Sequence, residues 1–326
     1  MARRTVNMAG RGESGGVINP PKGGFCSPKR KMKMTKADGK NEIVSGTCLT
    51  DSEVRDIASH YNANNKNLEG EEKTIDISIL SVDQILDELH ARLGSERGYE
   101  YKWINSGVVS PSSAIGARLK DAFRPMMPKS WIRNDRTWLS NFDIQAVMCQ
   151  YDDVFPDFWF VGVFSMDFAH ILTNGQCVSM DMCGLDVSEM KRRRKSHAGI
   201  VLNLDKHDQS GSHWVALYIN IDSRTVNYGC FYYDSTARPT PEEVNVFTHK
   251  IKTQVLESRE NDVFPFRIKE NRVKRQFKNT ECGIFTMFFL VCCMSREFSF
   301  QTICDSMGND DDLHTLRTVF FRPPNA

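Results

Sequence analysis

No apolar run in the 326 residues reaches the about 18 positions that a membrane-spanning helix needs. The sequence opens without an apolar segment, which sets an expectation against export. There is no C-x-x-C pair, and no set of His and Cys completes a zinc site. Neither sign of charge dominates. The 42 Lys and Arg stand against 41 Asp and Glu, a net +1, so whole-chain charge names no partner. No internal repeat is visible. These absences argue against a helical membrane protein, a zinc-ribbon module and a repeat architecture.

What is present is unevenly placed. Residues 1–42 hold ten Lys and Arg against three carboxylates, so the remainder is mildly acidic. Residues 1–45 have almost no large apolar side chains and read as a disordered basic tail: a solvated end, or a nucleic-acid or localisation tail. The ten cysteines sit in a long chain with no export segment. Cys292 and Cys293 are adjacent in an apolar stretch and cannot bridge each other comfortably. Cys177 and Cys183 lie near each other without completing a metal set. The expectation is a reducing compartment, with most cysteines serving as small apolar residues.

Periodicity places the elements. Thr50 or Asp51 caps a helix carrying Val54, Ile57, Ala58 and Tyr61. Ser81 to Gln84 opens a second, with Ile85, Leu86, Leu89 and Leu93 as its stripe and Gly94 as its stop. Residues 46–120 thus form a helical arm without evident chemistry, and 121–326 a second domain. Ser140 caps a third helix, with Asp143 near its first turn and Ile144, Val147, Met148 and Tyr151 buried. The aromatic-rich stretch 155–168 reads as a strand. Further strands follow at Ile200–Leu204, Trp214–Ile221, Val226–Tyr233 and Val263–Ile268. Thr240-Pro241-Glu242-Glu243 starts a helix with Thr240 as cap. An apolar helix then opens at Cys282. Helix, strands, helix, strand and helix in this order give an α+β class.

The chemistry gathers around Gln276 and Cys282. A cysteine at a helix start meets free N–H groups and the helix dipole, which favour its thiolate. A nearby glutamine can donate to a developing oxyanion. The plainer reading is one more buried cysteine. If Ser223-Arg224 form a hairpin turn, Ile221 pairs with Val226, Ile219 with Tyr228, Leu217 with Cys230, Val215 with Tyr232 and His213 with Asp234. Directly paired residues share a face and lie about 5 Å apart. Gly229 is a candidate bulge position. A carboxylate beside an imidazole fixes its tautomer, and the imidazole takes a proton from a thiol. Singly, His213 is a strand-edge histidine and Asp234 a turn former. Together with Cys282 and Gln276 they supply base, orienter, nucleophile and oxyanion donor, with the Cys282 backbone N–H as second donor.

These residues resemble a known superfamily. His-Trp opening a strand, Tyr-Asp-Ser closing the next, then Gln, five residues and Cys-Gly are similar to the cysteine proteases that include the SUMO proteases and the adenovirus maturation protease. The resemblance spans roughly residues 125–326, and Trp-Leu-Ser-Asn at 138–141 belongs to it. The arm and the surroundings of Trp138 are most similar to members encoded by nucleocytoplasmic large DNA viruses. The resemblance implies a papain-like α+β fold, with a central mixed or antiparallel sheet packed by helices. It implies His213 as base, Asp234 as orienter, Gln276 as oxyanion donor and Cys282 as nucleophile. It also implies substrate contacts at Trp138, Asn141 and Trp214. The two indoles would flank a narrow channel for a Gly-Gly end, with core packing as the alternative. Asn141 stands where the SUMO proteases have Asp, which weakens the case for SUMO itself.

The expected activity is a thiol endopeptidase cutting after small Gly-containing sequences, a viral protease processing structural polyproteins in the virion or host cell cytoplasm. Its partner would be a protein substrate, either a viral polyprotein or a ubiquitin-like conjugate. Alternatives are a deconjugase for SUMO or another ubiquitin-like modifier, an acetyltransferase on the same fold, and a nucleic-acid-binding or scaffold protein with a decayed site. No metal or cofactor is expected. DNA is a cofactor of the adenovirus enzyme. A DNA contact here would use the basic tail and the basic run Lys191–Lys195, which otherwise reads as a solvated loop.

Overall fold

The computed structural model describes residues 25–33, 44–65, 74–104, 109–258 and 263–324. They cluster into two compact units. Among the described residues, one comprises those from Phe25 to Lys129 together with those from Thr318 on; the other is Ser130–Arg317. The sequence division, 46–120 and 121–326, differs from this clustering at both ends.

The first unit is helical. It contains α1 (Pro28–Lys33), α2 (Asp51–Asn64), α3 (Val82–Leu93) and α4 (Ala114–Ala122). Thr50 and Ser81 cap α2 and α3 through complete capping boxes with Glu53 and Gln84, and Gly94 ends α3 in the left-handed conformation. Their apolar stripes meet around Tyr101, Trp103 and Phe123. Most of the basic tail lies outside the described residues, but its stretch from Phe25 to Lys33 is structured. Cys26 pairs with Phe123 across a backbone bridge, and the Arg30 guanidinium takes both oxygens of Glu53 at 2.9 and 2.7 Å. That ion pair and bridge supply the tertiary partners which composition alone cannot show.

The expectation against disulfides is overturned at two pairs. Cys26 is bonded to Cys48, with Cα atoms 5.2 Å apart, and Cys177 to Cys183, with Cα atoms 6.6 Å apart. Both separations fall in the range a bridge spans. Six cysteines are free, and of these only Cys149 is exposed.

The second unit is built on a five-stranded sheet in sequence order. It opens with α5 (Asn141–Asp152), β1 (Phe158–Ser165), α6 (Met180–Gly184) and α7 (Val187–Arg192). Next come β2 (His197–Asn203), β3 (Trp214–Asn220), β4 (Gly229–Tyr233), α8 (Glu242–Glu257) and β5 (Arg267–Glu270). The unit's last named elements are α9 (Cys282–Ser295), α10 (Phe300–Ser306) and α11 (Asp310–His314). β1 pairs with β2 and β4 with β5 in parallel, while β2–β3 and β3–β4 are antiparallel. The sheet is mixed and the class is α+β. Val215, Leu217 and Ile219 of β3 join the core that includes Val244, Phe247 and Ile251 of α8. On β4, Tyr233 stacks on Phe289 of α9 with centroids 4.7 Å apart. Every residue from Cys282 to Met294 is buried, as expected of a helix apolar all round.

Three details depart from the sequence expectation. The hairpin register is shifted by two: Leu217 pairs with Tyr232 and Ile219 with Cys230. Ser223 and Arg224 do sit at the centre of a turn, closed by Thr225 N–H to the Asp222 carbonyl at 3.2 Å. The returning arm, however, carries two extra residues. Asn227, buried there, donates to the Phe298 carbonyl and accepts from Phe300 N–H, which draws the chain off the ladder. A shift of two preserves which face each side chain occupies. The last strand is β5, not Val263–Ile268, because Phe266 packs edge-on against Tyr228 and the ladder starts only at Arg267. Finally, Thr240 does not cap α8. Its hydroxyl and N–H both donate to Glu270, at 2.7 and 2.9 Å, and Pro241 takes the cap position.

Candidate active site

His213 immediately precedes β3, and Asp234 follows β4. Although the register differs, both lie at the same end of the hairpin, and His213 Nε2 donates to Asp234 Oδ1 at 2.7 Å. Asp234 is wholly buried. The same oxygen accepts the Thr236 N–H and hydroxyl, each at 2.8 Å. Burial raises its pKa, but the His213 and Thr236 bonds outweigh it and hold the group below the usual carboxylate value. An ionised carboxylate only accepts, so Nε2 carries the proton and Nδ1 is the nitrogen left for the thiol. Burial lowers the His213 pKa, but hydrogen bonds to Asp234 and Cys282 overcome it and raise the value to about 9. The ring is therefore held in its protonated form at neutral pH.

Cys282 is the first residue of α9, where no side chain caps the helix. Its N–H and the next ones are free to face an anion. Gly283 follows, and a Cβ there would lie 3.0 Å from Leu139 Cδ1. Glycine thus lets the entry to α5 approach α9 closely. Gln276 is buried, and its Oε1 accepts the Ser235 hydroxyl at 2.5 Å. With that end occupied, its amide NH₂ is the group available to an oxyanion.

The substrate candidates line a groove of about 340 Å³ that includes Trp138, Asn141, His213 and Trp214. Trp138 and Asn141 are exposed at the entry to α5, and the Trp214 indole N–H donates to the Leu139 carbonyl at 3.0 Å. A larger cavity, about 710 Å³, runs beside β5 and Asn271. It holds none of these groups, so chemistry rather than size locates the site.

The basic run is placed elsewhere. Arg192 and Arg193 both pair with Glu189 at 2.6 Å, Arg193 covers the Trp159 ring, and Lys195 donates to the Phe158 carbonyl at 2.6 Å. Three of its five cations are thus engaged locally. Among the described residues no group of His, Cys, Asp or Glu could hold a metal, and no helix is long and apolar enough to cross a membrane.

Two further side chains, Ser235 and Asn271, hold the candidate residues in place. Ser235 enters the sequence pattern only as the last residue of Tyr-Asp-Ser. Asn271, buried, accepts the Asp234 N–H and donates to its carbonyl, each at 2.7 Å. Both pairings link residues about forty positions apart, so no local pattern announces them.

Residues 193–312 match the Ulp1 protease family, C-terminal catalytic domain. The match and the thiol-protease relatives that follow support a cysteine peptidase. All four catalytic candidates fall inside the match, and the resemblance read from the sequence is borne out. A putative thiol protease of Acanthamoeba polyphaga mimivirus is 25% identical over 188 residues, covering 57% of each chain. This chain thus spans little more than half of that relative. A SUMO-1 cysteine protease of African swine fever virus is 23% identical over 196 residues, 58% of this chain and 70% of the relative. A crystal structure of the African swine fever virus protease shares the fold, with a TM-score of 0.57 at 20% identity over 78% of this chain and 95% of that one.

Proposed function

We propose that the chain is a viral cysteine endopeptidase that cuts after small Gly-containing sequences and processes structural polyproteins. The virion or the host cytoplasm is its place of action. The observation that carries the reading is the His213–Asp234 bond, with the imidazole also hydrogen-bonded to Cys282, a cysteine at a helix start. The Cys282 sulfur attacks the scissile carbonyl, and the oxyanion is held by the Cys282 N–H and the Gln276 amide. His213 gives its proton to the leaving amine as the C–N bond breaks. A water molecule, deprotonated by His213, then attacks the thioester, releases the acid and restores the thiol pair. Trp138 and Trp214 support glycine before the cut, because indole walls admit backbone more readily than a side chain.

A second reading is a deconjugase for a ubiquitin-like modifier, favoured by the name of the African swine fever virus relative. The protease relatives do not favour the acetyltransferase alternative. A DNA contact through the tail and the basic run draws no support from the run, three of whose five cations are engaged within the protein. The test is turnover of Gly-containing peptides from virion proteins beside SUMO and ubiquitin conjugates, with Cys282→Ala as control. Cleavage of the peptides, lost in Cys282→Ala, supports the first reading. Efficient turnover of the conjugates alone replaces it with the second.

A further inference from the structure

Glu281, the residue before the nucleophile, is wholly buried. A carboxylate stripped of water needs charge and hydrogen bonds in return. Both oxygens are occupied. Oε2 accepts Arg317 Nε at 2.7 Å. Oε1 accepts the Thr280 hydroxyl at 3.0 Å and faces His314 Nδ1 at 3.1 Å. The other His314 nitrogen faces Asp135 at 3.1 Å. Arg317, itself buried, reaches further: Nη1 donates to the Thr137 carbonyl at 2.9 Å and Nη2 to the Thr280 carbonyl at 3.1 Å. Its guanidinium carbon lies 4.2 Å from the Trp131 ring centroid.

One guanidinium therefore holds two stretches of backbone. Thr280-Glu281 leads directly into Cys282, and Thr137 leads directly into Trp138. The first sets where the Cys282 N–H points; the second sets one wall of the substrate groove. An oxyanion donor works only when placed to within a fraction of an ångström. The planar fork of arginine can serve a carboxylate and two carbonyls while stacking on an indole, whereas the point charge of lysine cannot.

Resting on the proteolytic reading, we infer that Glu281 and Arg317 are positioning residues that align the oxyanion donor of Cys282 with the Trp138 wall. They couple the rate of the chemical step to selectivity for the residue before the cut. Neither residue touches substrate. A buried pair with only a structural role would lower the melting temperature and leave substrate preference unchanged.

The experiment uses the full chain and two peptides that differ only in Gly or Ala before the cut. Wild-type turnover, abolished in Cys282→Ala, first establishes the peptidase separately. Arg317→Lys, assayed well below its melting temperature, is then expected to lower kcat about tenfold with KM nearly unchanged. It is also expected to narrow the preference for Gly over Ala severalfold. His314→Gln, at the outer end of the network, shifts both in the same direction by a smaller factor. A folded Arg317→Lys protein with wild-type kcat and preference overturns the inference. If Arg317→Lys does not fold, His314→Gln and Asp135→Asn decide: wild-type kcat and preference in both overturn it.

Discussion

Ser235 and Gln276 are joined twice. The Ser235 hydroxyl donates to Gln276 Oε1 at 2.5 Å, and the Gln276 N–H donates to the Ser235 carbonyl at 2.9 Å. The double link fixes both the position of the glutamine and which end of its amide faces the site.

Removing the hydroxyl frees the amide to flip. Ser235→Ala should lower kcat about tenfold with little change in KM, and Gln276→Ala about 100-fold or more. In the Gln276→Ala background, Ser235→Ala should have almost no further effect, because the two act as one unit. Steady-state kinetics of the four proteins checks this; independent, additive losses would contradict it.

Stability should fall on the alkaline side. The folded pKa of His213, about 9, lies above its unfolded value of about 6.5. The protonated ring thus stabilises the fold fully below about 6.5, and that contribution, on the order of 3 kcal/mol, is lost as pH rises toward 9. Urea denaturation at a series of pH values measures the slope, and Asp234→Asn should flatten it. The alkaline limb of kcat/KM should follow the same ionisation. For Asp234 the sign is opposite: its contribution is present above the unfolded carboxylate value and is lost as acid protonates the folded group.

Asn271→Ala leaves the buried N–H and carbonyl of Asp234 without their partner. The expected loss is about 2–4 kcal/mol, with a fall in kcat because the orienting carboxylate is released. Asn271→Asp keeps the acceptor and loses the donor, so it should perturb less at the N–H than at the carbonyl. Chemical denaturation beside kinetics separates the two effects.

Gly229 has φ +148°, and a Cβ there would lie 1.9 Å from the Arg267 carbonyl oxygen. Gly229→Ala must either strain the backbone or part β4 from β5. A cost of about 3 kcal/mol or more is expected. Hydrogen exchange of the Arg267–Glu270 amides should report the parting first.

Trp138→Ala should widen the residues accepted before the cut without abolishing turnover of a Gly peptide. A peptide library read by mass spectrometry checks it. An unchanged cleavage preference would assign Trp138 to packing alone.

Local signals were legible. Ser140 with Asp143, like the caps of α2 and α3, announces its helix because hydroxyl and carboxylate close a box over four residues. His213, Asp234, Gln276 and Cys282 could be picked out because their roles depend on residue type and chain order. What the sequence hid depends on distant partners. The hairpin register slipped because Asn227 is claimed by Phe298 and Phe300, some seventy residues on. Thr240 left its helix for Glu270, thirty residues away. Cys26 found Cys48 across 22 positions with no spacing motif between them. The shift in register did no harm to the site, because moving an antiparallel pair by two leaves each side chain on its own face.

The helix that carries Cys282 is enclosed from its first residue to Met294. On the proteolytic reading, its sulfur sits at the head of a post packed on every side and has little room to advance toward a poorly seated peptide. The scissile bond has to be carried to it, so the exposed entry to α5 and the loop before β3 must do the adjusting. On that same reading, selection takes place in the delivery of the substrate, before any bond is strained.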